Sequence, residues 1–409
     1  MLLSSLFAKT AEYEKLAHAL SAPGACALFG LPGSGRAMVY AALAKETGRF
    51  LCIVTPGEAE ATRFAGDLNA LGIPTAVFPA RDYVLRPIEG TAREYEYRRL
   101  SVLGDIVGGR LQAVCVPDEG LTQYTTPRAE FCNNTRTLHP GDTVPRTELT
   151  ALLYNAGYAR RAQVDGPGQF SIRGDIVDLY APDMKLPVRM EFWGDEIDTM
   201  HTFDLATQRR EDPIEKIYVS PAREVLFGSP AEAAELLRAF IKKFRGKKRT
   251  ALEACLATEL AQLDGGALPV NMDKYLAVRY PQPATLLDYF DDPLLVLEEP
   301  ASLREAERAT TYRRGEEISA LLQDGVLAAG LDNLYAENGY LWAQAANHRT
   351  ICAENFARSM PDIPLKDIVN APAHTLPAWG GEVTSLLEDL QPLCNGGAAV
   401  TVLAGTQRA

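Results

Sequence analysis

Hydrophobic and polar positions change period twice along the chain. Up to about residue 122, short apolar runs bounded by glycine or proline alternate with amphipathic stretches. Residues 25–29, 50–54, 75–78 and 111–116 read as buried strands, and 8–21, the stretch after Ala37 to about Thr47, 58–71 and 92–107 as helices. This alternation predicts a parallel sheet with helices on both faces.

From Arg160 the period becomes 2. Residues 162–164, 170–173, 176–180, 188–193 and 197–203 are predicted short strands, separated by Gly, Pro and Asp turns. They form an antiparallel sheet ending near Ile217. One helix precedes them, started by Pro145 with Thr147 as its cap. After Ser220 helices dominate, at 230–244, 249–263 and 303–322. The apolar run 294–297 is a lone buried strand expected to rejoin the first sheet. A last strand at 398–403 runs straight into the chain end, as a βα unit cut after its strand would, so a truncated fragment is expected. The predicted class is α/β, a parallel-sheet domain in two segments (1–122 and 218–370) around an α+β insert (123–217), with 371–409 beginning a further α/β domain.

Composition narrows the function classes. The 409 residues suit two to four domains at roughly 150 residues each. At 47% hydrophobic and 23% charged, the chain is globular. No apolar run reaches the ~18 residues of a membrane helix, and the N-terminus lacks the basic region of a signal peptide, so no membrane role is expected. A net charge of −12 argues against non-specific nucleic-acid binding over the whole surface. One basic run breaks the trend: Lys242, Lys243, Arg245, Lys247, Lys248 and Arg249. It reads first as a solvated helix end, where cations favour the macrodipole. Contact with DNA phosphates, lost steeply with salt, is the open alternative. The seven cysteines form no CxxC pair and the five histidines are isolated, so neither a disulfide framework nor a metal site is predicted. A reducing cytoplasm is the expected compartment.

The first predicted strand enters Gly30-Leu31-Pro32-Gly33-Ser34-Gly35-Arg36-Ala37 and then a helix, the context of a phosphate loop. The working pattern ends in Lys and then Ser or Thr. Here Arg36 and Ala37 stand in those places. Alanine offers magnesium no oxygen, and arginine's long fork does not replace a compact ammonium. Gly30, Gly33 and Gly35 either retain anion binding through backbone N–H groups or persist because the turn needs them; the second reading is preferred. The stretch LLVLEEP has the form of an acidic strand-end motif. Its Glu298 replaces the expected Asp and is one methylene too long for a magnesium shell. Glu298 and Glu299 therefore read as a vestigial motif, two solvated glutamates starting a loop. No catalytic residue is assigned.

TLLDYFDDPLLVLEEP (285–300) resembles the stretch of UvrB that ends in its helicase motif. FSIRGDIVDLYAP (170–182) and RMEFWGDEID (189–198) resemble the UvrA-binding domain of that family. With its altered loop, the chain resembles the N-terminal, UvrB-homologous region of the bacterial transcription-repair coupling factor (Mfd) family. The likeness runs over roughly residues 10–370 and is most specific over 160–220. It implies a degenerate RecA-like, P-loop NTPase-type lobe with an inserted UvrA-binding domain. It also implies recruitment of UvrA, and so of nucleotide excision repair, to stalled RNA polymerase. RNA polymerase and DNA would be engaged by downstream domains. ATP and Mg2+ would belong to a downstream motor, with no cofactor and no enzymatic activity here. A C-terminal domain of the same protein would mask the UvrA face. The family's UvrA contacts fall on Arg173, Arg189 and Trp193, where phenylalanine is more usual at the last.

From the residues alone, Arg189 and Trp193 are four apart on one strand and share a face. Arginine and tryptophan are the types enriched at interface hot spots. An Arg189–Glu191 pair and a core position for Trp193 remain open. Asp195, Glu196 and Asp198 read as turn residues without chemistry. The competing function is part of an active UvrB-like, ATP-dependent DNA-damage protein, against which Arg36, Ala37 and Pro300 speak.

Overall fold

A computed structural model describes residues 7–86, 93–361, 363–371, 382–398 and 400. The chain divides into two units, Met1–Ala371 and Pro372–Ala409. The strands of the first unit are β1 (Gly24–Phe29), β2 (Leu51–Thr55), β3 (Thr75–Val77), β4 (Ala113–Pro117), β5 (Arg136–Leu138), β6 (Ala159–Arg160), β7 (Gln169–Arg173), β8 (Ile176–Tyr180), β9 (Val188–Trp193), β10 (Glu196–Phe203), β11 (Arg210–Pro213), β12 (Ile217–Val219), β13 (Leu294–Glu298), β14 (Arg349–Glu354) and β15 (Leu365–Asn370). Of the strand expected at 398–403, only Ala398 and Val400 lie among the described residues. The described part of the second unit holds the helix Val383–Asn395.

The predicted α/β class holds. Seven parallel strands lie in the order β15-β1-β14-β13-β2-β4-β3, so β13 sits between strands from both ends of the chain. β1, β2, β4 and β13 bury every residue, as strands covered on both faces must. Their side chains alternate between two cores. Cys26, Leu28, Ile53 and Val296 face one, and Ala27, Phe29, Val54 and Leu297 face the other. The helix Glu58–Ala70 shows why the layer forms: Ala61, Phe64, Ala65 and Leu68 make one buried stripe.

The insert is a six-stranded sheet, β11-β10-β9-β8-β7-β6, with the helix Arg146–Asn155 on one face. Leu149 and Leu153 of that helix pack on Phe170, Val177, Leu179, Met190 and Phe192. Three local expectations fail here. The strand predicted at 162–164 is Ala159–Arg160 instead, and it runs parallel to β7. Gln169 Oε1 accepts from the Asp165 N–H at 3.0 Å, closing a turn that ends the pairing early. Thr147 is not the cap of the helix; Pro145, extended at φ −52° and ψ 131°, takes that place without a side-chain bond.

The insert is tied at its neck. β5 and β12, its entry and exit, pair antiparallel. Thr126 Oγ1 donates to the Glu224 carbonyl at 2.5 Å. The buried Glu224 carboxylate takes Arg99 Nε at 2.7 Å and lies 3.2 Å from Arg81 Nε. Arg81 also grips Asp273 with both terminal nitrogens, at 2.7 and 2.9 Å.

Candidate docking face and the glycine-rich loop

The insert's second face is polar, and among the described residues no helix packs on it. In β9 the residues Val188, Met190 and Phe192 point into the core, which turns Arg189, Glu191 and Trp193 to the other side. Cross-strand pairing then aligns Ser171, Asp178, Arg189 and His201 in one row, and Arg173, Ile176, Glu191 and Thr199 in the next. Two Gly-Asp hairpins bring Arg173 and Trp193 to the same end of the sheet. Gly174 at φ +60° and Gly194 at φ +64° adopt the left-handed conformation these tight turns require. Arg146 anchors the first tip, donating to the Gly174 carbonyl and to Asp175, both at 2.8 Å.

The three arginine and tryptophan positions differ in character. Trp193 is 84% exposed, so it does not belong to the core. Arg189 pairs with Asp178 and not with Glu191: its Nε and Nη2 donate to the two carboxylate oxygens at 2.6 and 2.9 Å. It also lies over the Phe203 ring and donates to Gln208, leaving 12% of its side chain exposed. Hydrogen bonding to Asp178 raises its pKa further. Arg173 donates one Nη2 bond to Asp178 at 2.6 Å and stays 47% exposed. Glu191 is taken by Arg210 instead. Asp178, Gln208 and Arg210 were not among the expected site residues. Asp178 is a lone acid in the run IVDLY, and only the strand register reveals which cations meet it.

The glycine-rich loop packs tightly against its neighbours in the sheet domain. Gly30, at φ +91°, leaves no room for a Cβ, which would lie 2.8 Å from the Ala371 carbonyl oxygen. The following helix begins at Gly33, capped by Pro32, and the Arg36 N–H donates to the Pro32 carbonyl at 2.9 Å. Helix thus occupies Gly33, Ser34 and Gly35, the part of the loop that would curl around a phosphate. Ala37 is wholly buried. The Arg36 side chain turns inward, 2.9 Å from Glu298 and 2.8 Å from Glu299, and donates to the Ala353 carbonyl at 3.2 Å.

The solvated reading of Glu298 is therefore wrong. It is 1% exposed, because it ends a central strand and has Arg36 and the Tyr40 hydroxyl as partners, the latter at 2.5 Å. Glu299 follows at φ +51°, strained for a non-glycine residue.

Burial pushes the Glu298 carboxyl up to about 7, against the pull of Arg36 and Tyr40, while Arg36 itself keeps its proton. The folded chain then holds a proton here that the unfolded chain releases near 4.5. This group's contribution to stability grows as pH falls through 7 and is lost as pH rises. Burial moves Asp118 and Glu96 in the same direction. Glu298→Gln is expected to flatten the rise of Tm on going from about pH 8 to about pH 5, leaving the share of the other two; thermal melts across that range check it.

The basic run departs from its expected helix end. Lys242 closes the helix Pro230–Lys242, but Gly246, at φ +56°, makes an elbow that puts Lys247, Lys248 and Arg249 in the first turn of the next helix, Gly246–Asp264. There the macrodipole opposes cations. Arg249 has Glu253 at 2.8 Å; Lys242, Lys243, Lys247 and Lys248 are exposed and have no carboxylate within ion-pair distance among the described residues. Among the described residues no group of three or more His, Cys, Asp or Glu could hold a metal, and no helix is long and apolar enough to cross a membrane.

Residues 137–225 match the family model described as the UvrB interaction domain. Over 89% of its length the chain is 26% identical to the transcription-repair-coupling factor of Bacillus subtilis (strain 168), covering 32% of that protein. It is 26% identical over 72% of its length to the one from Staphylococcus haemolyticus, covering 26%. It is 23% identical over 92% to the one from Staphylococcus epidermidis (strain ATCC 12228), covering 33%. The chain thus spans a quarter to a third of the length of these curated relatives. The resemblance to the N-terminal, UvrB-homologous region of the coupling factors is borne out.

Proposed function

We propose that this chain, similar over most of its length to transcription-repair-coupling factors, is their UvrA-docking module, carried on a scaffold that no longer handles nucleotide. The observation that carries the docking role is the pairing of a bare Trp193 plate with a half-exposed Arg173 fork at one end of the polar face. An exposed indole and a half-free guanidinium at one end of a face suit an apolar socket and a carboxylate on a partner. Arg189, nearly covered, forms the wall behind Arg173. The loss of nucleotide handling is supported by Arg36, which is folded onto Glu298 and Glu299 and so is not free to reach a phosphate.

RNA polymerase and DNA would be engaged by parts of the parent protein outside this chain, and ATP with Mg2+ by its motor. A C-terminal region of that protein would compete with UvrA for the same face. The exposed Lys242, Lys243, Lys247 and Lys248 are offered as a contact for nucleic-acid phosphates.

Calorimetric titration of the purified chain with UvrA is expected to give a saturable complex. An ATPase assay, with and without DNA, is expected to stay at background. Turnover above background would favour the active UvrB-like alternative, and absence of a complex would remove the docking role.

A further inference from the structure

We propose that Asp178 is the positioning residue of the docking face: it sets Arg173 and Arg189 for an incoming partner without itself being reachable. The proposal rests on the docking role above. Asp178 lies on the outward, polar side of β8, yet it is wholly buried, roofed by the two guanidiniums. Its Oδ2 accepts from Arg173 Nη2 and Arg189 Nη2, at 2.6 and 2.9 Å, and its Oδ1 from Arg189 Nε at 2.6 Å. These are charge-assisted bonds, the strong class, made where water is excluded. The cross-strand neighbour Ser171 does not share this role, since its buried hydroxyl, opposite Asp178 on β7, has no hydrogen-bond partner among the described residues.

The arrangement divides the labour between the arginines. Arg189 is fixed by Asp178, by Gln208 and by the Phe203 ring. Arg173 gives Asp178 a single Nη2 contact and stays half exposed, so most of its fork remains for a partner's carboxylate. Two cations this close repel each other, and the shared counter-charge offsets that repulsion. Holding them before contact removes the side-chain ordering cost that binding would otherwise carry.

Positioning and simple charge predict opposite signs. Asp178→Asn makes the face one unit more positive. If the arginines only attract an acidic partner, affinity rises; if Asp178 positions them, affinity falls despite the added charge. Titration of UvrA with the 409-residue chain is expected to show about tenfold weaker binding for Asp178→Asn. The same change made on top of Arg173→Ala and Arg189→Ala is expected to cost less than about twofold, since there is nothing left to position. Unchanged or tighter binding by Asp178→Asn overturns the proposal, as does an equal loss in both backgrounds. Should Asp178→Asn not fold, Asp178→Glu keeps the charge and displaces the carboxylate by one methylene. It is expected to fold and to bind more weakly, and wild-type affinity in it overturns the proposal. If the unaltered chain does not bind UvrA, the docking role falls and this proposal with it. If Arg173→Ala weakens binding while the Asp178 variants do not, only this proposal falls.

Discussion

Glu224→Ala is expected to lower the folding stability of the chain by about 3–5 kcal/mol, the range for removing one partner from a buried ion pair. Glu224 is fully buried at the exit of the insert and faces Arg99 and Arg81, themselves buried. Without it Arg81 keeps Asp273, but Arg99 is left with neutral acceptors, the Pro79 and Gly120 carbonyls and Gln123, at 3.1 to 3.4 Å. A guanidinium cannot shed its proton to escape, so its desolvation falls on the folded state. Glu224→Gln keeps the shape and one acceptor and should fall between. The control is Glu58→Ala, whose partner Arg98 is exposed on the helix Glu94–Val107; that change should cost under about 1 kcal/mol. Urea titrations of the three variants measure the ordering, and a Glu224→Ala midpoint equal to that of Glu58→Ala would mean the buried cluster holds nothing together.

Trp193→Ala and Arg173→Ala are each expected to weaken UvrA binding by about 2 kcal/mol or more, roughly thirtyfold, with stability changed by less than about 0.5 kcal/mol. The split follows from exposure: Trp193 contributes little to the insert's own core, so its loss should appear only in the complex. Trp193→Phe keeps an aromatic plate and should retain most of the affinity. Arg189→Ala should behave differently and lower both affinity and Tm, because it leaves the buried Asp178 with one cation in place of two. Titration calorimetry beside thermal melts reads both quantities. A Trp193→Ala variant that melts early while binding normally would return the tryptophan to a structural role.

Much of the scaffold was legible because its signals are local. The fully apolar runs of β1, β2, β4 and β13 announce strands buried on both faces, and the Gly-Asp tips of β7–β8 and β9–β10 announce hairpins. β14 and β15 were missed. RTICAE is short and begins with arginine, and LKDIVN carries exposed polar positions as one of the sheet's two edge strands. The site was half legible for a related reason. Alternation places Arg189 and Trp193 on one face, but the acid that organises the arginines is chosen by strand register. The inward turn of Arg36 depends on residues brought together by the sheet order; Tyr40 and Glu298, which share that cluster, are 258 positions apart. The basic run was misplaced because an elbow at Gly246 divides what reads as one helix end.

The tied neck has a consequence for how such a protein can change over generations. The chain enters the neck of the insert at Thr126 and leaves it at Glu224, two points joined by a hydrogen bond. Everything between them is a cassette with adjacent ends. A cassette of that kind can be lengthened, reshaped or exchanged whole while the strand order of its host stays as it was. Selection for a partner can then act on the insert without disturbing the sheet that carries it.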